Sequence, residues 1–123
     1  MNARPTTLTV EIEQRGDIMV IRPSGAMDYW SVGPLREELN RHLVADPPKI
    51  VLDLFEVAYC DSSGLGLLLE AQRRAHAAGG WLRVARPHLQ MRRVLALTRL
   101  DRYIVSYASV HAAIETAEAG QED

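Results

Sequence analysis

Between a double proline and a lone cysteine lies Ile50-Val51-Leu52-Asp53-Leu54-Phe55, a run apolar at every position but one. A strand with one wet face alternates apolar and polar residues. Near-continuous apolarity instead marks a strand buried on both faces, the condition of a central strand in a sheet covered by helices. The flanks fit that demand. Asp46-Pro47-Pro48 stops whatever precedes the run, because proline donates no amide hydrogen and restricts the residue before it. After the run, Leu65 through Leu69 begins an apolar pattern that continues with helical spacing toward Ala78, and Gly79-Gly80 reads as its C-cap and a turn.

The rest of the chain builds around this strand. Val10, Ile12, Ile18 and Val20 alternate about Arg15-Gly16-Asp17, which reads as a hairpin between two antiparallel strands. Pro23-Ser24-Gly25 reads as a break in the second strand. Ala26 to Trp30 then leads to a helix, started by Ser31 or by Gly33 with Pro34, whose Leu35, Leu39, Leu43 and Val44 share a face. Trp81 to Ala85 is a fourth strand closed by Pro87. Met91 to Leu100 suggests a third helix, Tyr103 to Tyr107 a fifth strand and Val110 to Ala117 a last helix. The order predicts an α/β fold: one mixed sheet of about five strands, an N-terminal antiparallel hairpin followed by alternating strands and helices, with about four helices.

At 123 residues, 47% hydrophobic and 24% charged, the chain suits one compact domain that needs neither disulfide nor metal. We expect a flexible N-terminus over residues 1–7, the domain over 8–117 and a frayed acidic tail over 118–123. Met1 to Thr7 lacks the apolar stretch of a secretory signal and no run is long enough to cross a bilayer, so a cytoplasmic location is the expectation, without membrane insertion. Cys60 excludes an internal disulfide, has no metal-ligand spacing with His42, His76, His88 or His111, and reads as a small core residue. A net charge of −2 gives no reason to expect nucleic acid as a partner.

Chemistry concentrates at Tyr59-Cys60-Asp61-Ser62-Ser63-Gly64-Leu65-Gly66, where two hydroxyls stand at a strand-to-helix transition. The first-turn amides of a helix lack partners, and the dipole adds partial positive charge, so a phosphate is well tolerated there. Ser62 reads either as a helix cap or as a phosphorylation site, and Ser63 as a cap or a companion hydroxyl. Asp61 is an N-cap that sets the loop, or a group that orients the serine for a kinase. Gly64 allows another backbone close, or packs against the sheet; Leu65 is core, or an exposed anchor, with core the simpler reading. No Ser–His–Asp order, paired carboxylates, phosphate loop or metal spacing accompanies them, so no enzyme is expected.

Asp61 to Gly66 after a hydrophobic strand resembles the signature of anti-sigma-factor antagonists, the STAS-domain family. Ser24-Gly25-Ala26-Met27-Asp28 before a helix is similar to that family's second strand and acidic loop, and Gly79 to Val84 to its glycine turn and next strand. The resemblance runs from about Leu8 to about Ala117. It implies a STAS-like domain, with Ser62, the hydroxyl after the aspartate, as phosphate acceptor. It also implies that the unphosphorylated chain binds an anti-sigma factor with serine kinase activity and frees a sigma factor, while phosphorylation reverses this and a serine phosphatase resets it. The chain itself would need no cofactor, since ATP and Mg²⁺ belong to the kinase. The resemblance places Asp28 near the phosphorylation loop, where it aids the kinase or the partner contact. As an isolated residue Asp28 is a turn former, and Tyr29 and Trp30 are partner anchors or a cover for the core. Together Asp28, Tyr29, Trp30, Asp61, Ser63, Gly64 and Leu65 form the expected partner surface.

STAS-like domains also serve as adaptor subunits of lipid-transport ATPases and as parts of anion transporters, a reading that needs no phosphorylation. Among the remaining residues, Trp81 and Phe55 read as packing, and Asp53 as reaching the rim or accepting backbone amides. Arg92, Arg93, Arg99 and Arg102 form a solvated face or an anion- or partner-binding patch. Where the family's third helix ends in glycine before leucine, this chain has Arg99-Leu100, which puts the glycine C-cap in question.

Overall fold

A computed structural model describes residues 7–116. The tail expected over 118–123, and all of the expected N-terminal segment but Thr7, lie outside the described residues. Strands β1 (Leu8–Arg15) and β2 (Ile18–Met27) pair antiparallel, with Arg15 opposite Ile18. Their turn is as short as the sequence suggested, with Gly16 at φ +62°. Helix α1 (Gly33–Leu43) holds proline in its first turn and buries Leu35, Leu39 and Leu43, one residue per turn. Val44 does not join that face. It caps the helix and is exposed, because the helix ends before its side chain returns to the core side.

Strand β3 (Lys49–Asp53) lies parallel to β2, followed by β4 (Val57–Cys60), α2 (Ser62–Ala77), β5 (Trp81–Ala85), α3 (Leu89–Leu97), a 3-10 turn at Leu100–Arg102, β6 (Ser106–Tyr107) and α4 (Val110–Glu115). The sheet order is β1-β2-β3-β5-β6, with β4 also on β2, so the described residues hold six strands rather than about five. The added strand comes from a break in the apolar run. After Asp53 the chain turns at Leu54–Glu56, the Val57 amide donating to the Leu54 carbonyl at 3.1 Å. It then resumes beside the far end of β2.

Two further expectations change. Pro23-Ser24-Gly25 does not end β2, which keeps its antiparallel register through Gly25 opposite Leu8. On the other side, β2 pairs with β3 at Met19–Ile21 and with β4 from Gly25, so Pro23 sits in the gap between parallel partners, where a missing N–H removes no parallel ladder bond. The expected strand Tyr103–Tyr107 shrinks to Ser106–Tyr107, because Leu100–Arg102 winds as a 3-10 turn that sends Ile104 into the core.

Helices α1, α2 and α3 cover one face of the sheet over a core that includes Ile21, Met27, Ile50, Leu52, Leu68 and Val84. On the opposite face, α4 is the one helix among the described residues that packs, over Val20, Val51, Trp81 and Ala85. Fully buried Arg83 holds that helix down. Its guanidinium stacks 3.8 Å from the Trp81 ring centroid and donates to the carbonyls of Ala113 (2.6 Å) and Thr116 (3.2 Å) at the end of α4. A cation there meets the negative end of the helix and satisfies carbonyls that have no helical partner.

The part of that face left open by α4 carries charge. Asp53, only 2% exposed, accepts a two-pronged contact from Arg86 (3.1 and 2.8 Å), a bond from Arg22 (3.2 Å) and one from the Phe55 amide (3.3 Å). It thus accepts a backbone N–H as expected, while its main partners are two arginines. Arg22 also reaches Glu13 (2.7 Å), which takes Arg15 (2.6 Å). Alternating charge therefore crosses three strands and ends on Arg86, just past β5. Burial pushes the Asp53 pKa up, but Arg86, the Phe55 amide and Arg22 together hold it below its ordinary value. The bonds from Arg15 and Arg22 lower Glu13 from 4.5 to about 2. Phe55, read as a packing residue, does pack, though at a half-exposed turn: it lies beneath Arg86 and stacks on His88.

Double glycine ends α2 for two different reasons. Gly79 takes φ +84°, a left-handed value favoured by glycine, while a Cβ on Gly80 would lie 1.7 Å from the Pro48 carbonyl oxygen. At the end of α3 the residue after the Thr98 cap is Arg99 at φ +64°, so arginine occupies the conformation glycine would take.

Both carboxylates have depressed pKa values in the fold, so their stabilisation is complete above the ordinary carboxylate range and is lost as pH falls through the lowered values, toward about 2 for Glu13. Thermal unfolding from pH 7 to pH 2 should show Tm dropping below about pH 4, with a shallower fall in Asp53→Asn. Asp53→Asn should cost roughly 2–3 kcal/mol at pH 7, since it leaves two arginines short of a buried counter-charge. At Arg99 the left-handed backbone penalises a side chain, so urea unfolding should find Arg99→Gly more stable by about 0.5 kcal/mol and Arg99→Val less stable by about 1 kcal/mol. A neutral valine would contradict the strain.

Candidate functional site

The end of β2 and the end of β4 lie side by side, with Met27 opposite Cys60. Each strand then leaves the sheet, β2 into the loop Asp28–Val32 and β4 into α2, so two segments distant in sequence emerge together. The Asp61 amide donates to the Met27 carbonyl at 3.2 Å and closes the junction.

Asp61 caps α2. Its backbone is extended, and its Oδ1 accepts from the Ser63 amide (2.8 Å) and the Gly64 amide (3.2 Å). Oδ2 accepts from the Tyr29 amide at 3.2 Å, so one carboxylate spans both segments. This assigns the capping role to Asp61 rather than to either serine. Ser62 is the first helical residue and is exposed; Ser63 is half-buried. Among the described residues no carboxylate, imidazole or thiol accepts a hydrogen bond from either hydroxyl, so neither is activated as a nucleophile by its surroundings. What the position supplies is a reachable hydroxyl in the positive field of a 16-residue helix.

Gly64 is buried. A Cβ there would fall 2.6 Å from both Cys60 Sγ and the Met27 carbonyl oxygen, so its missing side chain lets α2 press onto the sheet. Leu65 is half-buried against the core on the same turn. Cys60 is buried beneath them, and burial pushes its thiol up to about 12, with the Asp61 charge adding to the shift. It is therefore a packing group and not a thiolate.

The loop after β2 is held from within. Asp28 Oδ1 accepts from the amides of Trp30 and Ser31, both at 3.0 Å, and from the Ser31 hydroxyl at 2.8 Å. The Oγ of buried Ser31 also lies within hydrogen-bond reach of the Ala26 carbonyl, so that its single proton is shared between that carbonyl and Asp28 Oδ1, and Oγ accepts from the Asp28 amide. Asp28 is therefore the turn former of the bare sequence reading, with no bond to Ser62. The tight loop pushes its middle outward: Tyr29 is 69% and Trp30 78% exposed, packed edge to face with ring centroids 5.0 Å apart. They do not cover the core.

Sequence reasoning took Ser31 only as a helix start and missed its bonds to Asp28, though an aspartate three residues before a serine is an ordinary side-chain turn signal. It also missed Tyr59, half-exposed on β4 beside the same junction. Arg92, Arg93, Arg99 and Arg102 are all exposed on α3 and the turn after it. Among the described residues no His, Cys, Asp and Glu group could hold a metal, and no helix is long and apolar enough to cross a membrane.

Comparison with known proteins places this geometry. The STAS domain family model matches residues 9–113. The chain is 34% identical over 67 residues to a relative from Thermotoga maritima and 31% over 70 residues to one from Thermotoga neapolitana, and spans about three fifths of the length of these curated relatives (59% and 62%), with 54% and 57% of its own length covered. An anti-sigma factor antagonist from Mycobacterium paratuberculosis has a solved structure with TM-score 0.78 at 26% identity, covering 99% of this chain and 100% of that one. The phosphorylated form of the Bacillus cell fate determinant SpoIIAA shares the fold, with TM-score 0.68 at 24% identity over 87% of this chain and 97% of that one. With the family model matched over nearly the whole described length, the chain belongs to the STAS domain family.

Proposed function

We propose that this protein is an anti-sigma factor antagonist that works as a phosphorylation-gated binding module. In its unphosphorylated form it docks on an anti-sigma factor with serine kinase activity, and a sigma factor is freed. Phosphorylation of Ser62 ends the interaction, and a serine phosphatase restores it. ATP and Mg²⁺ enter with the kinase, and this chain contributes the hydroxyl and the surface.

One observation carries the reading: an exposed serine opens α2 directly beside an exposed aromatic pair, and Asp61 ties the two segments together. Aromatic side chains that protrude from a rigid loop are the usual energetic anchors of a protein interface. A phosphate beside them adds roughly −1.5 to −2 charges, whose desolvation and repulsion oppose docking. The name of the mycobacterial relative of known structure supports the same class. The adaptor alternative needs no phosphorylation and so gives the exposed hydroxyl no role.

Incubating the chain with its cognate kinase and ATP–Mg²⁺ should place phosphate on Ser62 by mass spectrometry, and Ser62→Ala should abolish it. Phosphate found only on Ser63 would overturn the assignment. Trp30→Ala, exposed and hence harmless to folding, should weaken anti-sigma factor binding by calorimetry about 30-fold, the usual scale of a 2 kcal/mol anchor.

A further inference from the structure

The Asp61 carboxylate serves two segments with one rigid group. Oδ1 takes the Ser63 and Gly64 amides and Oδ2 takes the Tyr29 amide. Ser62, the acceptor in the reading above, stands between Asp61 and those helix amides in the chain. A phosphate at this first helical position brings three acceptor oxygens and up to two charges to the same donors. Phosphate and carboxylate therefore compete for one set of N–H groups while repelling each other, and the more highly charged group prevails.

The backbone cannot absorb this conflict by shifting. The Asp61 amide is bonded to the Met27 carbonyl, and Gly64 lies against Met27 and Cys60 with no room for even a methyl group. What can move is the carboxylate. Because it is planar, turning Oδ1 away from the helix amides carries Oδ2 away from the Tyr29 amide. Among the described residues that bond is the one side-chain hydrogen bond joining Tyr29 to the α2 cap, whereas the amides of Trp30 and Ser31 are held by Asp28.

We infer that Asp61 is a positioning residue that latches the Tyr29–Trp30 segment to the start of α2, and that phosphate on Ser62 opens the latch. The inference rests on Ser62 being the acceptor. Phosphorylation then alters the docking surface twice, by adding charge and by releasing the aromatic pair from its set position. Asp61 also acquires a reason to be aspartate rather than another capping residue. Serine or threonine would offer a single oxygen, and asparagine a single acceptor end, to two places that each need one.

Amide exchange with solvent, followed by NMR on the ¹⁵N-labelled full chain without any partner, tests the latch. With phosphoserine genetically encoded at Ser62, the Tyr29 amide should exchange about tenfold faster, the scale of one lost hydrogen bond, while Trp30 and Ser31 stay unchanged. Asp61→Asn should release the Tyr29 amide without phosphate, because asparagine still caps α2 with its oxygen but presents NH₂ to Tyr29. Ser62→Ala should leave the amide protected. Unchanged Tyr29 exchange in the phosphorylated chain would overturn the latch, even if that chain had lost its partner and the proposed function stood. Tyr29 release in a chain that still binds the anti-sigma factor with phosphate present would keep the latch and remove the function instead.

Discussion

Strand β2 is twice as long as β3, ten residues against five, and the site depends on what fills the difference. A strand that outruns its neighbour leaves backbone groups unpaired, a costly state in a covered sheet. Here the chain breaks after Asp53 and returns as β4 to pair with the rest of β2. Since β2 and β4 are parallel and end level, the loop from one and the helix from the other must leave the sheet together. Gly25 permits the arrangement at one end of the pairing: its φ is +123°, and a Cβ would meet the Thr7 carbonyl oxygen at 2.4 Å. Gly64 permits it at the other. Two missing side chains thus let a backbone pairing become a functional juxtaposition.

The sheet face left open by α4 would be a hazard if apolar, since an uncovered sheet invites association. It instead carries Arg15, Glu13, Arg22, Asp53 and Arg86 in alternating sign across β1, β2, β3 and the end of β5. Most of these groups are partly wet and contribute little individually; Asp53 is the exception because it is buried. Phe55 lies beneath Arg86 at the end of this ladder, while Tyr29 and Trp30 protrude from the loop that the Asp61 carboxylate ties to the start of α2.

Much of this was legible in the sequence because it depends on local chemistry. Glycine in the hairpin, proline in the first turn of α1 and the double glycine after α2 all mark backbone conformations that other residues resist, and each was found where expected. Leu35, Leu39 and Leu43 announced their face by spacing alone. The misreadings are non-local. The apolar run could not reveal its break, because Leu54 and Val57 are buried on both sides of it and only pairing with β2 tells the pieces apart. Pro23 looked like an end to β2 because its tolerance depends on a change of neighbour invisible in the chain. Phe55 packs, but hydrophobicity could not say that it does so on Arg86 and His88 at a half-exposed turn. At the site, Asp61 could be read as a cap from its offset to Ser63 and Gly64, but its bond to Tyr29, 32 positions away, could not.

That long-range bond bears on why an aspartate stands directly before Ser62 in this chain. Beside an acceptor for phosphate, a carboxylate is an electrostatic nuisance, and a neutral cap would serve the helix nearly as well. The cost makes sense if the carboxylate has a second partner that a neutral cap cannot hold simultaneously, and here that partner is the backbone of the aromatic loop. Capping, loop placement and sensitivity to phosphate then follow from one side chain. Its bonds to both segments already couple the start of a helix to a loop formed by another part of the chain, and in the proposed switch a phosphate would act on that coupling.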